Sequence, residues 1–234
     1  MRCAIYFVPP PDDPLTLCAA QWLRRDPFTG AGIVSPVEGL TDADHALVTA
    51  VPRRYGFHAT LKAPFQLIDR HDPDDLGDAV SRFCAGLPPI AVPALKIGRR
   101  EATLALVPAE PVPELDALAA SLVVEFDAFR AQPGEAELAR RMSPSLTPRQ
   151  LSHLVSWGHP FIFDQFRFHM TLTGPLDPPE RPHLETVLQR HFREVLRLPL
   201  RIDQVAVAVE PAPHAPFMLH SVHSFHRVGR RRRA

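Results

Sequence analysis

Two short stretches of this chain put ionisable and hydroxyl side chains at every second position. In "RYGFHATLKAPF", residues 54–65, Gly56, His58, Thr60 and Lys62 alternate with Phe57, Ala59, Leu61 and Ala63. In "FRFHMTLTGPL", residues 166–176, Arg167, His169, Thr171 and Thr173 alternate with Phe166, Phe168, Met170 and Leu172. Successive side chains of a β-strand point to opposite faces. Each stretch therefore reads as a strand with one apolar face turned to a core. The other face carries a histidine, hydroxyls and a cation. A single H-x-T is an ordinary feature of a strand. Two of them in matching settings point to one site assembled from both.

Imidazole titrates near neutral pH, so one histidine can take a proton while its protonated twin gives one. Hydroxyls and cations around such a pair suit an oxyanion that is charged from the start, which points to phosphate. An acid and a base on opposite sides of phosphorus fit in-line displacement. Two histidines with no carboxylate or thiolate ligand nearby make a poor zinc site. Neither a metal nor a cofactor is expected.

The elements that must position these residues can be read along the chain. "RCAIYFVP" is a strand. "DPLTLCAAQWLRRD" is a helix with Asp13 as N-cap and Pro14 at its first position. A loop leads into the first motif strand. A helix opened by acidic residues, "DPDDLGDAVSRFCAGL", follows it, then strands "IAVPALKIG" and "ATLALVP", then the long amphipathic helix "PVPELDALAASLVVEFDAFR". After the second motif strand come the helix "PPERPHLETVLQRHFREVL" and strands "LRIDQVAVAVEP" and "FMLHSVHSF". Both motif units thus read strand, helix, strand, strand. They span 44 positions from His58 to Ala102 and 48 from His169 to Phe217. A long period occurring twice suggests duplication with pseudo-twofold pairing. Antiparallel-rich α+β lobes are expected, with a first unit at about 53–108 and a second at about 164–226. Residues 131–160 fall outside the repeat and read as a helical insertion. There "EAELARRM" is a short helix. "TPRQLSHLVSWG" is a clearer one, with Thr147 as N-cap, Pro148 next, Gln150 completing a capping box and Gly158 as the stop.

Composition sets the outer limits. The 26 basic and 26 acidic residues balance, so nothing global draws the chain to long nucleic acid or an acidic membrane. The basic tail, 227–234, reads as a solvated, disordered end. Cys3, Cys18 and Cys84 are odd in number and lack C-x-x-C spacing, which argues against a disulfide framework or zinc knuckle. No apolar run is long enough to span a membrane, and no leader is legible. A reduced, cytoplasmic protein is expected. The tract "HSVHSFH", with His220, His223 and His226, throws its histidines to alternate strand faces and is not expected to hold a metal.

With "HATL" at 58–61 and "HMTL" at 169–172, the chain resembles the 2H phosphoesterases, whose signature is a pair of H-x-[TS]-hydrophobic motifs. The opening strand "CAIYFVPP" is also similar, and the resemblance covers essentially the whole chain. "RYGFHATLKAPF", "RRMSPSLTPRQ" and "FRFHMTLTGPL" look like a branch described as phosphonate-metabolism proteins of uncharacterised activity. The resemblance implies a single bilobal α+β domain over 1–234, with two antiparallel-rich sheets flanked by helices around a central cleft. It implies metal-independent opening of a cyclic phosphodiester. His58 and His169 would be the acid–base pair, with Thr60 and Thr171 holding the phosphate.

Weaker candidates surround this pair. Lys62, Arg167 and Thr173 share the motif faces. Tyr55 precedes the first motif, and Tyr6 sits on a strand expected beside it. Arg140, Arg141 and Arg149 could close over a small phosphorylated substrate from the insertion. Phosphoribosyl cyclic phosphate is the substrate that the resemblance suggests. An RNA-end 2′,3′-cyclic phosphodiesterase or 2′-5′ RNA ligase-like enzyme is the second reading, and a non-catalytic nucleotide-binding module the third.

Overall fold

The computed structural model describes residues 1–134, 138–139, 141–143 and 145–225. Among the described residues, nine strands are interspersed with helices. They are β1 (Arg2–Phe7), α1 (Pro14–Leu23), α2 (Asp42–Tyr55), β2 (Ala59–Phe65), α3 (Pro73–Cys84), β3 (Ile90–Val92), β4 (Leu95–Arg100), β5 (Thr103–Pro108), α4 (Pro113–Glu125), α5 (Pro148–Trp157), β6 (Met170–Thr171), α6 (Arg181–His191), β7 (Leu200–Ile202), β8 (Gln204–Glu210) and β9 (Met218–Ser224). The fold is α+β. Instead of two sheets, one seven-stranded sheet runs β4-β5-β6-β2-β1-β8-β9, and a two-stranded ribbon pairs β3 with β7. Every strand pairing is antiparallel. The resemblance implies two sheets, but the two motif strands are neighbours at the centre of one sheet. The β4–β5 hairpin lies against β6, and the β8–β9 hairpin lies on the far side of β1 from β2. Among the described residues, the chain order β1-α1-α2-β2-α3-β3-β4 matches β5-α4-α5-β6-α6-β7-β8, and β3 pairs with its counterpart β7.

Helices cover one face of the sheet. α3 buries Leu76, Val80 and Cys84 at helical spacing, and α4 buries Leu115, Leu118, Ala119 and Leu122. On β1, Ile5 and Phe7 face this core while Ala4, Tyr6 and Val8 face the other side. Local signals read from sequence hold. Asp13 Oδ1 accepts from Leu15 N at 2.8 Å. Thr147 and Gln150 form the reciprocal capping box of α5, and Gly158 ends it with φ 77°. All three cysteines are free. The short helix expected at 135–142 falls partly outside the described residues, as do Arg140, His226 and the tail.

One helix was not legible. Residues 42–55 were expected to be loop running into strand, yet Thr41 caps α2 and Pro52 lies inside it. Pro52 has no N–H to offer the carbonyl of Val48 one turn earlier. Gly174 N, just past β6, donates to that carbonyl instead at 2.7 Å. The apparent breaker thus frees an acceptor that ties α2 to the second motif. Trp22 makes a similar tie, its Nε1 donating to Leu172 O at 2.8 Å within the core. Trp22→Phe should keep most of the packing while leaving that carbonyl short of a donor. It should cost about 1–3 kcal/mol, read as a lowered urea midpoint; an unchanged midpoint would show that the bond contributes nothing.

Candidate functional site

The two motif strands meet at the centre of the sheet through one pair, Ala59 opposite Met170. Carried outward by one residue, that antiparallel register sets His58 across from Thr171 and Thr60 across from His169. All four point to the face away from the helices. Cross-strand partners have Cβ atoms roughly 5 Å apart and diagonal neighbours roughly 7–8 Å. The histidines therefore take one diagonal of a square and the threonines the other.

Two cavities adjoin over this square. One, of about 480 Å³, is lined by His58, Tyr6, Tyr55, Arg2 and Arg141 among others. The second, of about 380 Å³, holds His169, Arg100, Glu101, Thr103 and Arg167. Thr60, Thr171, Ala63, Pro64 and His159 line both. Each imidazole is oriented in the same way. His58 Nδ1 lies 3.0 Å from Gly56 O and His169 Nδ1 lies 2.7 Å from Arg167 O, each the carbonyl two residues back. A carbonyl only accepts, so Nδ1 carries the proton and Nε2 is left for chemistry. Thr60 Oγ1 donates to His58 Nε2 at 3.0 Å.

The surroundings disfavour the imidazolium. His58 stacks on Tyr6 with ring centroids 3.8 Å apart. The residue is half-buried, and burial, with a smaller push from His169, lowers its pKa to about 4. Burial also lowers His169, with the Arg100 cation adding to the effect and the Arg167 carbonyl opposing it. Burial pushes the Tyr6 phenol well up, so it stays protonated.

Two predicted residues lie elsewhere, and both displacements share one cause. Tyr6 pairs with Thr60 but Ile5 pairs with Lys62, so β2 carries one extra residue. This β-bulge reverses the alternation. Lys62 joins Ile5 on the core side, 3% exposed, where Nζ donates to Val123 O at 3.0 Å and sits 3.9 Å from Asp127. Burial lowers its pKa to about 8. In the second motif, the N–H groups of Leu172 and Thr173 converge on Leu104 O, at 2.9 and 3.2 Å. Thr173 is turned inward and fully buried, its hydroxyl donating to Gly174 O and accepting from Leu104 N. Strict alternation places both residues in the cleft; a bulge just past each motif threonine removes them.

The remaining candidates divide. Tyr6 and Tyr55 line the His58 cavity. Arg167 lines the His169 cavity, its Nη1 folded back onto Asp164 O and Phe166 O. Arg141 reaches the His58 cavity and donates to Gly158 O at 2.7 Å. Arg149 does not: its Nε pairs with Asp164 at 2.6 Å on an exposed flank. Arg140 lies outside the described residues. Sequence reading missed His159, Arg2 and Arg100. His159 follows the Gly158 helix stop, and burial lowers its pKa to about 4. Arg2 pairs at 2.5 Å with the buried Glu210, which also binds Arg54. Neither position carries a motif. His220 pairs with Asp74, and His223 hydrogen-bonds Ser221. No group of three or more histidine, cysteine or acidic side chains suited to a metal occurs among the described residues. No helix among them is long and apolar enough to cross a membrane.

The chain belongs to the family described as "Protein of unknown function (DUF1045)", whose model matches residues 60–218. It is 36% identical over 222 residues to a protein of Janthinobacterium sp. (strain Marseille) named ribose 1,5-bisphosphate phosphokinase PhnN, covering 93% of this chain and 49% of that one. A protein of the same name from Laribacter hongkongensis (strain HLHK9) is 31% identical over 225 residues, covering 94% and 50%. The chain thus spans about half the length of the curated relatives it matches. Among solved structures, E. coli LigT complexed with 3′-AMP superposes with a TM-score of 0.42 at 11% identity, covering 97% of this chain and 98% of that one.

The His58 environment has a consequence for acid stability. Its folded pKa lies below the unfolded value near 6.5, so the unfolded chain takes up the proton first as pH falls. The neutral ring's contribution is fully present above pH 6.5 and is lost as pH drops toward 4. Denaturation curves should show His58→Gln losing less stability than wild type across that window. Identical pH dependence would mean the ring is not held neutral.

Proposed function

We propose that this protein opens a small cyclic phosphodiester by acid–base catalysis at His58 and His169. The observation that supports this most is the diagonal pairing of two histidines with the same Nδ1–carbonyl bond, over cavities that share both motif threonines. In this reading the threonine hydroxyls hold the non-bridging phosphate oxygens between the rings. The phosphate's negative charge favours a proton on the pair, against the burial that lowers both pKa values. Water attacks phosphorus while Nε2 of one histidine removes its proton. The ring P–O bond breaks on the opposite side, and Nε2 of the other histidine protonates the leaving oxygen. The products are a phosphomonoester and a free hydroxyl, and the proton count is unchanged.

The substrate reading is phosphoribosyl cyclic phosphate. Opening a 1,2-cyclic phosphate on ribose 5-phosphate at O2 gives ribose 1,5-bisphosphate. That is the compound in the name of the relatives, about half of whose length this chain matches. A second reading, an RNA-end or nucleoside 2′,3′-cyclic phosphate, is favoured by Tyr55 on the cavity wall beside His58, a ring on which a base could stack.

Turnover of both substrates by the purified full chain tests the proposal. His58→Ala and His169→Ala should each lower kcat about 10²- to 10⁴-fold. The double variant should fall little further, because the pair acts as a unit. Near-wild-type turnover in either single variant refutes the shared site.

Turnover should also persist after chelation and follow a bell-shaped pH profile whose limbs belong to the pair. Loss in chelator with recovery on adding a divalent ion would overturn the side-chain mechanism.

A further inference from the structure

We infer that Arg100, together with Arg167, forms an anion subsite that takes a phosphate group of the ligand on the His169 side of the cleft. This rests on the phosphate reading of the cleft and extends it to a residue outside both motif strands. Arg100 ends β4 at the tip of the β4–β5 hairpin, where the next residue, Glu101, holds a left-handed backbone with φ 52°. Thr103 Oγ1 donates to Arg100 O at 2.9 Å and closes that turn.

The Nε of Arg100 is shut off from solvent and donates to no acceptor. A buried donor of a charged group left unpaired costs about 1–3 kcal/mol or more, so native structures rarely keep one without a purpose. Two other such atoms occur among the described residues, His45 Nδ1 and Arg130 Nη1. Both belong to buried side chains, and neither residue lines the cleft cavities. Arg100 does line the cleft, beside His169.

The charge around it suits an anion. Arg100 and Arg167 line both the His169 cavity and an outer cavity of about 590 Å³, which also holds Glu110 and Asp116. Within the His169 cavity, Glu101 is the single carboxylate against these two guanidinium groups. The bonds from Arg167 to Asp164 O and Phe166 O use Nη1 and leave Nε and Nη2 unspent by them. A guanidinium presents N–H groups in a planar fork that matches two phosphate oxygens. The phosphate could be the one that reacts or a second one elsewhere on the substrate.

The experiment is titration of the full chain with inorganic phosphate, followed by the ring resonances of His58 and His169. Wild type is compared with Arg100→Gln, Arg100→Lys and Arg99→Gln. Arg99 is the control: it lines the outer cavity but not the His169 cavity, and its guanidinium turns to Glu185 at 3.3 Å. Arg100→Gln should weaken phosphate binding about 10- to 100-fold, the range for a lost charged hydrogen bond. Arg100→Lys should recover part of it, and Arg99→Gln should match wild type. Arg100→Gln should also raise the His169 pKa, because a neighbouring cation has been removed; a purely structural hairpin residue would not move it. In turnover, equal kcat/KM losses on both cyclic substrates assign the subsite to the reacting phosphate. A loss confined to phosphoribosyl cyclic phosphate assigns it to the second phosphate. If wild type binds phosphate and Arg100→Gln binds it equally well, the inference is overturned and the proposed function stands. If wild type neither binds phosphate nor turns over either substrate, the proposed function fails and takes the inference with it.

Discussion

The pairing of Ala59 with Met170 is the contact on which the site depends. It is a single register position between two short strands at the centre of a seven-stranded sheet. Side-chain direction alternates along a strand, so a slip of one residue would send His169 and Thr171 to the helix side. The ties around the pair hold that register. Gly174 N bonds the Val48 carbonyl left open by Pro52, and Trp22 bonds Leu172 O. Both anchor the chain just past the second motif to helices on the first half of the molecule.

The bulges complete the geometry. A strand that kept strict alternation past Thr60 would bring an ammonium group into the cleft. The extra residue in β2 instead sends Lys62 under the sheet, toward Val123 O and Asp127. Ala63 and Pro64 then line the cavities, leaving room over the histidines. The same device past Thr171 spends Thr173 on the backbone of Leu104 and Gly174. Besides Arg167 of the second motif, the cations that reach the cleft come from elsewhere: Arg2 from β1, Arg100 from a hairpin tip, and Arg141 from the segment between the motifs.

The electrostatics follow from this arrangement. Two imidazoles on one diagonal, beside Tyr6 and the His159 loop, both resist protonation because they are buried. Under the proposed function, a phosphate between them would favour a proton on the pair and so couple its protonation to substrate binding.

Local order in the sequence was enough for much of this. Alternation marked the motif faces, capping residues marked α1 and α5, acidic residues marked the start of α3, and the repeated H-x-T singled out His58, Thr60, His169 and Thr171. These signals act over a few residues, where backbone sterics and hydrogen bonding decide conformation. Only the tertiary structure decided the rest. Pro52 looks like a stop until a distant N–H takes the carbonyl it leaves open. A bulge depends on the partner strand's register, so Lys62 and Thr173 could not be placed from their own spacing. His159 and Arg100 belong to no pattern. They reach the site because a loop and a hairpin fold over it, and contacts between residues so far apart in the chain leave no periodic trace in it.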